Sequence, residues 1–264
     1  MFSWVSGKLG GALAKYLDQP TSRYQAYSIQ PTRTLRQVLK PGDVLLVEGN
    51  KRISTIIKYL TQSTWSHAAL YVGDALGRPS DGSEPKVLIE ADIQGGVIAS
   101  PLSNYENFNT RICRPAGLND DERKKVVEFM IGNLGIGYDF KNVVDFMRYL
   151  MPVPVRWRRQ MLTLGSNSST RVICSTLIAR AFHSVQYPII PVSLGQTVYA
   201  YERGRFTSEE ILDRRHHSLH TPRDFDLSPY FQVVKPTLEL GFDHRKIVWQ
   251  GDVTTEFRPA RLSK

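Results

Sequence analysis

The sequence contains only two cysteines, Cys113 and Cys174, among its 264 residues. Two cysteines are too few for a disulfide framework, although a single bridge between them stays open. No apolar run comes near the roughly 20 residues that a membrane-spanning helix requires. No internal repeat and no RNA- or DNA-binding signature is present either. These absences argue against a disulfide-rich scaffold, a helical membrane protein and a repeat protein.

Positive charge, by contrast, is in excess. The chain has 34 Lys and Arg against 25 Asp and Glu, a net charge of +9. Such an excess predicts an anionic partner: phospholipid headgroups, an acidic wall polymer or nucleic acid. Because no nucleic-acid-binding signature accompanies the charge, a membrane surface or a charged substrate is favoured, and no nucleic acid is expected.

The first residues, 1–17, predict an amphipathic helix and not a secretion signal. They contain no continuous apolar core and no small-residue cleavage site. Docking on the protein's own core is favoured over a helix lying in a membrane surface, because three glycines weaken a free helix. We therefore expect a cytoplasmic or peripheral membrane protein, with export by a dedicated system left open.

Strand patterns come in a block in the first half of the chain. The predicted strands are 44–47, 66–73, 87–91, 96–99 and 110–114. Helices are predicted at 53–60 and 123–134, the second with an N-cap and an acidic first turn at 119–122. The pattern predicts an α+β fold, a small antiparallel sheet or open barrel packed against helices. We divide the chain into an N-terminal helix and connector (1–39), a catalytic core (40–185) and a packed C-terminal extension (186–264).

The middle and the end of the chain are less regular. Residues 140–159 combine an apolar helix with a proline-broken stretch and a basic cluster. They predict a loop that caps the core or, equally, a lid or a membrane contact beside the second cysteine. Further on, we predict a helix at 208–215, strands at 230–234 and 246–250, and a basic tail at 254–264.

Cys174 stands at the start of a predicted helix that follows a loop rich in serine and asparagine. The positive end of a helix dipole favours the thiolate, although a cysteine is also often merely buried. A cysteine nucleophile requires a base and a third group that holds the base. His67 begins a predicted strand and is the candidate base. Glu90 ends the apolar run that begins at Val87 and is the candidate orienting acid, with Asp92 in reserve.

Five motifs, taken in order, resemble the circularly permuted NlpC-like papain superfamily. They are KPGD at 40–43, TWSHAALYVG at 64–73, LIEA at 88–91, LGIGYD at 134–139 and ICSTLI at 173–178. The nearest branch is the YiiX-type group, with lecithin:retinol acyltransferase as a more distant relative. In the permuted group the histidine and the acid precede the cysteine, as they do here. Ile173 departs from the aromatic residue that many relatives carry before the cysteine.

The resemblance implies a permuted papain-like fold and acyl transfer through an acyl-enzyme. Cys174 would be the nucleophile, His67 the general base and Glu90 the orienting residue. The backbone N–H of Cys174 would help to stabilise the oxyanion. The candidate substrate-binding residues are Tyr138, Trp65 and Ser175. No cofactor and no metal is expected.

Three functions remain open at this point. A hydrolase or acyltransferase acting on a lipid or other acyl substrate is slightly preferred to an amidase of cell-wall peptides. The third is an inactive basic module that binds anionic surfaces. His216, His217 and His220 have a spacing that a helical metal site would use, but a solvated or partner-facing patch is favoured. The oligomeric state is not predicted.

Overall fold

The fold is built on a six-stranded antiparallel sheet. The structure is a computed structural model and describes residues 16–21, 31–92, 95–137, 174–202, 205–213 and 217–249, the side chains of 192–216 and 218 excepted. The strands are β1 Val44–Val47, β2 His67–Tyr71, β3 Lys86–Asp92, β4 Gly96–Pro101, β5 Thr110–Pro115, β6 Val192–Glu202, β7 Arg205–Asp213 and β8 Phe231–Val234. The sheet order is β4-β3-β2-β1-β5-β8, while β6 and β7 form a separate hairpin. Of the two predicted forms, the open antiparallel sheet is observed and the barrel is not.

Short helices pack around this sheet. They are α1 Thr32–Val38, α2 Arg52–Thr61, α3 Asp120–Gly132, α4 Cys174–Ser184, α5 Pro222–Leu227 and α6 Pro236–Glu239. The predicted start of α3 is confirmed, because Asn119 and Glu122 form a reciprocal capping box. No helix in the described ranges is both long and apolar enough to cross a membrane.

Side-chain alternation gives the sheet two buried faces. Val44 and Leu46 of β1 belong to one apolar cluster, together with residues of α3 and α4. Leu45 and Val47 belong to the other, together with residues of α1. Successive strand residues point to opposite faces, so a strand buried throughout must be covered on both sides. The continuous apolar run of β1 is explained by this central position.

A buried ion pair anchors the turn that leads into β1. Asp43 is fully buried, and its carboxylate accepts hydrogen bonds from Arg114 of β5 at 3.0 Å (Nε to Oδ1) and 2.8 Å (Nη2 to Oδ2). The backbone N–H of Lys40 donates to the same carboxylate at 2.9 Å. Arg114 Nη2 also donates to the carbonyl of Val38 at 2.7 Å. The KPGD motif therefore ties the end of α1 to β5.

Two predicted elements of the C-terminal third are wrong. Residues 208–213, predicted as helix, are part of β7, which pairs with β6 from Val192↔Asp213 to Glu202↔Arg205. Cross-strand pairing outweighs the weak local preference of this charged stretch. The predicted strand at 246–250 is also wrong over its described part. His244–Lys246 is a 3₁₀ turn, capped by the side chain of Asp243, and 247–249 have no regular structure.

The remaining predictions are either tested by the structure or concern residues that it does not describe. The strand at 230–234 is confirmed as β8. Both cysteines are free, so the bridge that the sequence left open does not form. The helix predicted at 1–17 lies outside the described residues except for its last two. Residues 140–159 and 254–264 lie outside them entirely.

Candidate active site

Cys174 is the first residue of α4, and this helix packs against β2. The residue is 8% exposed, and its sulfur is hydrogen-bonded to the side chain of His67. The backbone N–H groups of Ala68 and Ser175 also donate to the sulfur. The thiol therefore lies where a helix N-terminus, two amides and an imidazole converge, all of which favour its anionic form.

His67 is the first residue of β2 and lies opposite Val47 of the central strand. Its side chain is 22% exposed, so the ring borders the surface. Its nitrogen atoms are hydrogen-bonded to other side chains of the site. The Nε2 atom contacts Oε2 of Glu90 in a short hydrogen bond. That bond leaves Nδ1 as the nitrogen available to the sulfur of Cys174. The imidazole is thus held between a thiol and a carboxylate.

Glu90 is buried on β3 and accepts hydrogen bonds from three side chains. Besides His67, the hydroxyl of Ser100 donates to Oε1 and the phenol of Tyr105 donates to Oε2. Ser100 is reached through the register of β3 with β4, in which Leu88 pairs with Ser100. Tyr105 ends the 3₁₀ turn that follows β4. Three donors on one carboxylate fix its orientation.

The protonation of Glu90 follows from these contacts. Burial alone would raise the pKa of the carboxyl, but the hydrogen bond and charge of His67, then Ser100 and Tyr105, outweigh it and lower the pKa to about 2. Burial and the neighbouring carboxylate raise the pKa of Tyr105 well above its ordinary value. The phenol therefore stays protonated and remains a donor. Glu90 is an anion throughout the working range of pH.

Cys174 and His67 shift in opposite directions. Burial would lower the pKa of His67, but its hydrogen bonds and charge interactions with Cys174 and Glu90 raise it to about 10. Burial would raise the pKa of Cys174, but the hydrogen bond and charge of His67 lower it. The two shifts describe one state, a thiolate beside an imidazolium, in which the thiolate is the nucleophilic form.

The choice between the two candidate acids is made by the fold. The structure puts Glu90 on His67, whereas Asp92 makes its contacts near the end of the strand. There its carboxylate is 3.6 Å from Nζ of Lys51 and accepts from the N–H of Gly95 at 3.0 Å. The sequence could not separate Glu90 from Asp92, because residues two apart on a strand share a face.

The candidate substrate-binding residues occupy different environments. Trp65 is 5% exposed, and its indole N–H donates to Asp226 at 3.0 Å. Ser175 is buried, and its hydroxyl donates to the carbonyl of His220 at 2.7 Å. Tyr138 lies outside the described residues. Ser175 adjoins the site through its backbone N–H on the sulfur of Cys174.

The histidine cluster is not a solvated patch where it is described. His220 is fully buried, with its ring centroid 5.6 Å from that of His183 of α4. His217 is partly buried, and His216 lies outside the described residues. The expectation of a solvated patch is therefore wrong for His220, because the chain folds back against α4 there. In the ranges that the structure describes, no three His, Cys, Asp or Glu side chains group closely enough to hold a metal ion.

Two further residues of the site, Ser100 and Tyr105, were not predicted from the sequence. Ser100 follows the predicted strand 96–99 by one residue, and a hairpin register between 87–91 and 96–99 would have brought it near Glu90. Tyr105 carries no such signal, because it lies in a short turn between two strands. Its place beside Glu90 depends on the path of the chain after β4.

An antiparallel sheet that carries a histidine and an acid, followed in sequence by a helix that begins with a cysteine, defines the permuted papain-like class. Comparison with known proteins agrees. Residues 38–149 match the family model described as "Permuted papain-like amidase enzyme, YaeF/YiiX, C92 family". The resemblance to the YiiX-type branch is thereby confirmed, and the matched family supports a cysteine-dependent hydrolase in general terms. The matched range includes His67 and Glu90 and ends before Cys174.

One solved structure similar to this chain is the crystal structure of the metalloprotein yiiX from Escherichia coli O157:H7. The two sequences are 16% identical, and the match covers 80% of this chain and 98% of that chain with a TM-score of 0.45. No curated protein sequence matches the chain.

Proposed function

We propose that this protein is a cysteine hydrolase with Cys174 as nucleophile, His67 as general base and acid, and Glu90 as the residue that orients His67. One observation carries the proposal: the His67 ring is hydrogen-bonded at once to the sulfur of Cys174 and to the buried carboxylate of Glu90. This is the geometry that nucleophilic catalysis by a thiol requires. Ser100 and Tyr105 support it as positioning residues through Glu90.

The chemistry follows from the protonation states. The thiolate of Cys174 attacks a carbonyl carbon, and the C=O electron pair moves to oxygen, where the N-terminus of α4 stabilises the negative charge. The imidazolium of His67 then protonates the leaving amine or alcohol as its bond to carbon breaks, which gives a thioester. His67, now neutral, takes a proton from water, and the hydroxide releases the acid and restores the thiolate.

For the substrate, we propose an acyl compound with an amide or ester bond. The description of the matched family as amidases supports an amide as the first bond to test. A lipid acyl ester, with water or a second molecule as acceptor, is the preferred source of that acyl group on the basis of the charge and the apolar, basic stretch 140–159. A cell-wall peptide amide is the alternative, and a basic binding module without activity is the third candidate.

The test is the pH dependence of Cys174 alkylation by iodoacetamide, followed by mass spectrometry. We expect rapid labelling of the wild type well below pH 8.5, the ordinary cysteine value, because the thiolate forms at a lowered pKa. The imidazolium should persist until the pH approaches about 10, where His67 loses its proton. In His67→Ala, labelling near neutral pH should collapse, because burial then raises the pKa of the thiol and only the backbone N–H groups of Ala68 and Ser175 oppose it.

Cys113→Ala is the matched control. Cys113 is fully buried, and burial raises the pKa of its thiol, so it should contribute no labelling. Slow labelling of Cys174, or labelling indifferent to His67, would reject the catalytic proposal and favour the inactive binding module.

A further inference from the structure

Exposed apolar side chains are concentrated in one segment near the end of the described chain. Of the nine large hydrophobic residues exposed in the described part of the protein, six lie within residues 238–249. They are Leu238 (59%), Leu240 (50%), Phe242 (49%), Ile247 (38%), Val248 (72%) and Trp249 (65%). Single exposed hydrophobic residues are ordinary, but a contiguous group marks an interaction surface.

The same segment carries exposed cations. Lys235, Arg245 and Lys246 are all exposed. The two acids between them are partly engaged within the protein. Glu239 lies 3.9 Å from the partly buried Arg114, and Asp243 accepts a hydrogen bond from the N–H of Arg245 at 3.0 Å. Because these three cations outnumber the two acids, the segment presents a net positive charge.

The segment is anchored at its start and exposed along its length. Pro236 is buried, and α6 packs on α1. Beyond α6, backbone hydrogen bonds such as Phe242 N to Thr237 O at 3.1 Å and Lys246 N to Asp243 O at 3.1 Å hold two successive turns. Its apolar side chains are thus presented on a partly ordered backbone, which lowers the entropic cost of binding.

We propose that residues 235–249, the apolar-basic segment, bind the surface of an anionic phospholipid bilayer. Tryptophan and phenylalanine side chains favour the boundary between headgroups and acyl chains. Lys235, Arg245 and Lys246 complement the phosphates and carboxylates of anionic headgroups. The net charge of +9 attracts the whole chain to such a surface. This inference does not depend on the proposed catalysis, because binding requires no reaction.

The first experiment is co-sedimentation of the full-length chain with phosphatidylcholine vesicles, with and without phosphatidylserine. We expect binding to the anionic vesicles that weakens as salt is raised. The double variant Arg245→Glu, Lys246→Glu should lower the partition coefficient roughly 30-fold or more, since each basic residue near an anionic surface contributes about fivefold. The double variant Val248→Ser, Trp249→Ser should lower it about tenfold or more.

Matched control variants distinguish binding through this segment from nonspecific effects of net charge and of exposed hydrophobic side chains. Lys124→Glu, Lys125→Glu changes the net charge equally on an exposed face of α3, and Tyr59→Ser removes an aromatic side chain that is 75% exposed elsewhere. Both should bind within about threefold of the wild type. All variants should keep the alkylation of Cys174, which monitors the active site separately.

A second readout follows Trp249 itself. In a Trp4→Phe, Trp157→Phe background, anionic vesicles should shift tryptophan emission to the blue. The shift should largely disappear when Trp249→Phe is added, because the remaining Trp65 is already buried. Equal binding by the wild type and both segment variants would overturn the proposal, as would loss of binding only on deletion of residues 1–17. Concentration-dependent self-association that the Val248→Ser, Trp249→Ser variant abolishes, without vesicle binding, would instead identify the segment as a contact between copies of this chain.

Discussion

Two buried carboxylates lie on this sheet, and each faces a basic side chain. Asp43 pairs with Arg114, and Glu90 pairs with His67. Both carboxylates are at most 5% exposed and both receive several hydrogen bonds. The two pairs nevertheless differ in the second partner of the basic side chain. Arg114 reaches the carbonyl of Val38, whereas His67 reaches the sulfur of Cys174.

Only one of these two ion pairs can take part in proton transfer. Arginine stays protonated at every accessible pH, so Arg114 cannot transfer a proton. Its pair with Asp43 can only hold the turn before β1 against β5. Burial even raises the pKa of Asp43, despite Arg114. Histidine can give up and regain its proton, and its third partner is a nucleophile. The same motif therefore serves structure at one point and, on our proposal, catalysis at the other.

Among the variants that test the two ion pairs, Glu90→Gln should have the largest effect on the alkylation of Cys174. The change keeps the shape of the side chain but removes the charge that orients His67 and stabilises its protonated form. Cys174 alkylation near neutral pH should fall on the order of 100-fold or more. The measurement is the second-order rate constant of labelling, with circular dichroism to verify folding. A rate within a few-fold of the wild type would mean that the carboxylate is as structural as Asp43.

The converse change, Asp43→Asn, should act on stability and not on reactivity. It leaves the partly buried Arg114 with its main partner neutralised, and the loss should approach the roughly 3–5 kcal/mol of unfolding free energy that breaking a buried pair costs. Urea denaturation would measure the loss, and the alkylation rate of Cys174 in the folded fraction should stay close to that of the wild type. A variant that is as stable as the wild type but slow to alkylate would contradict the purely structural role of the Asp43–Arg114 pair.

The smallest effect is expected from Tyr105→Phe, which removes one of the three donors to Glu90. Because the Tyr105 hydrogen bond lowers the pKa of Glu90, its loss should raise that pKa. The acid limb of the alkylation profile should then move to higher pH, while the rate at neutral pH changes only a few-fold. Ser100→Ala should behave in the same way. A uniform loss at all pH values, with no shift of the acid limb, would point to a merely structural role.

Much of the core could be predicted from local patterns. Apolar runs and alternation predicted strands β1 to β5, and the N-cap with its acidic first turn at 119–122 predicted the start of α3, because these signals depend on neighbours in sequence. His67, Glu90 and Cys174 were also proposed from the sequence, although only the family resemblance connected them. The C-terminal third was predicted poorly. There β7 is stabilised by pairing with β6. Local sequence patterns do not report such pairing between strands.

The residue types and the order of the histidine, the acid and the cysteine are fixed by the sequence alone, since each belongs to a strand or helix with a recognisable local pattern. Only the tertiary structure decided that Glu90 and not Asp92 meets His67, and that Ser100 and Tyr105 meet Glu90. It also decided that residues 246–249 are exposed and not paired in the sheet. The physical reason is the same in each case. Strand register, chain path and burial arise from contacts between residues far apart in sequence, whereas propensity, capping and alternation do not.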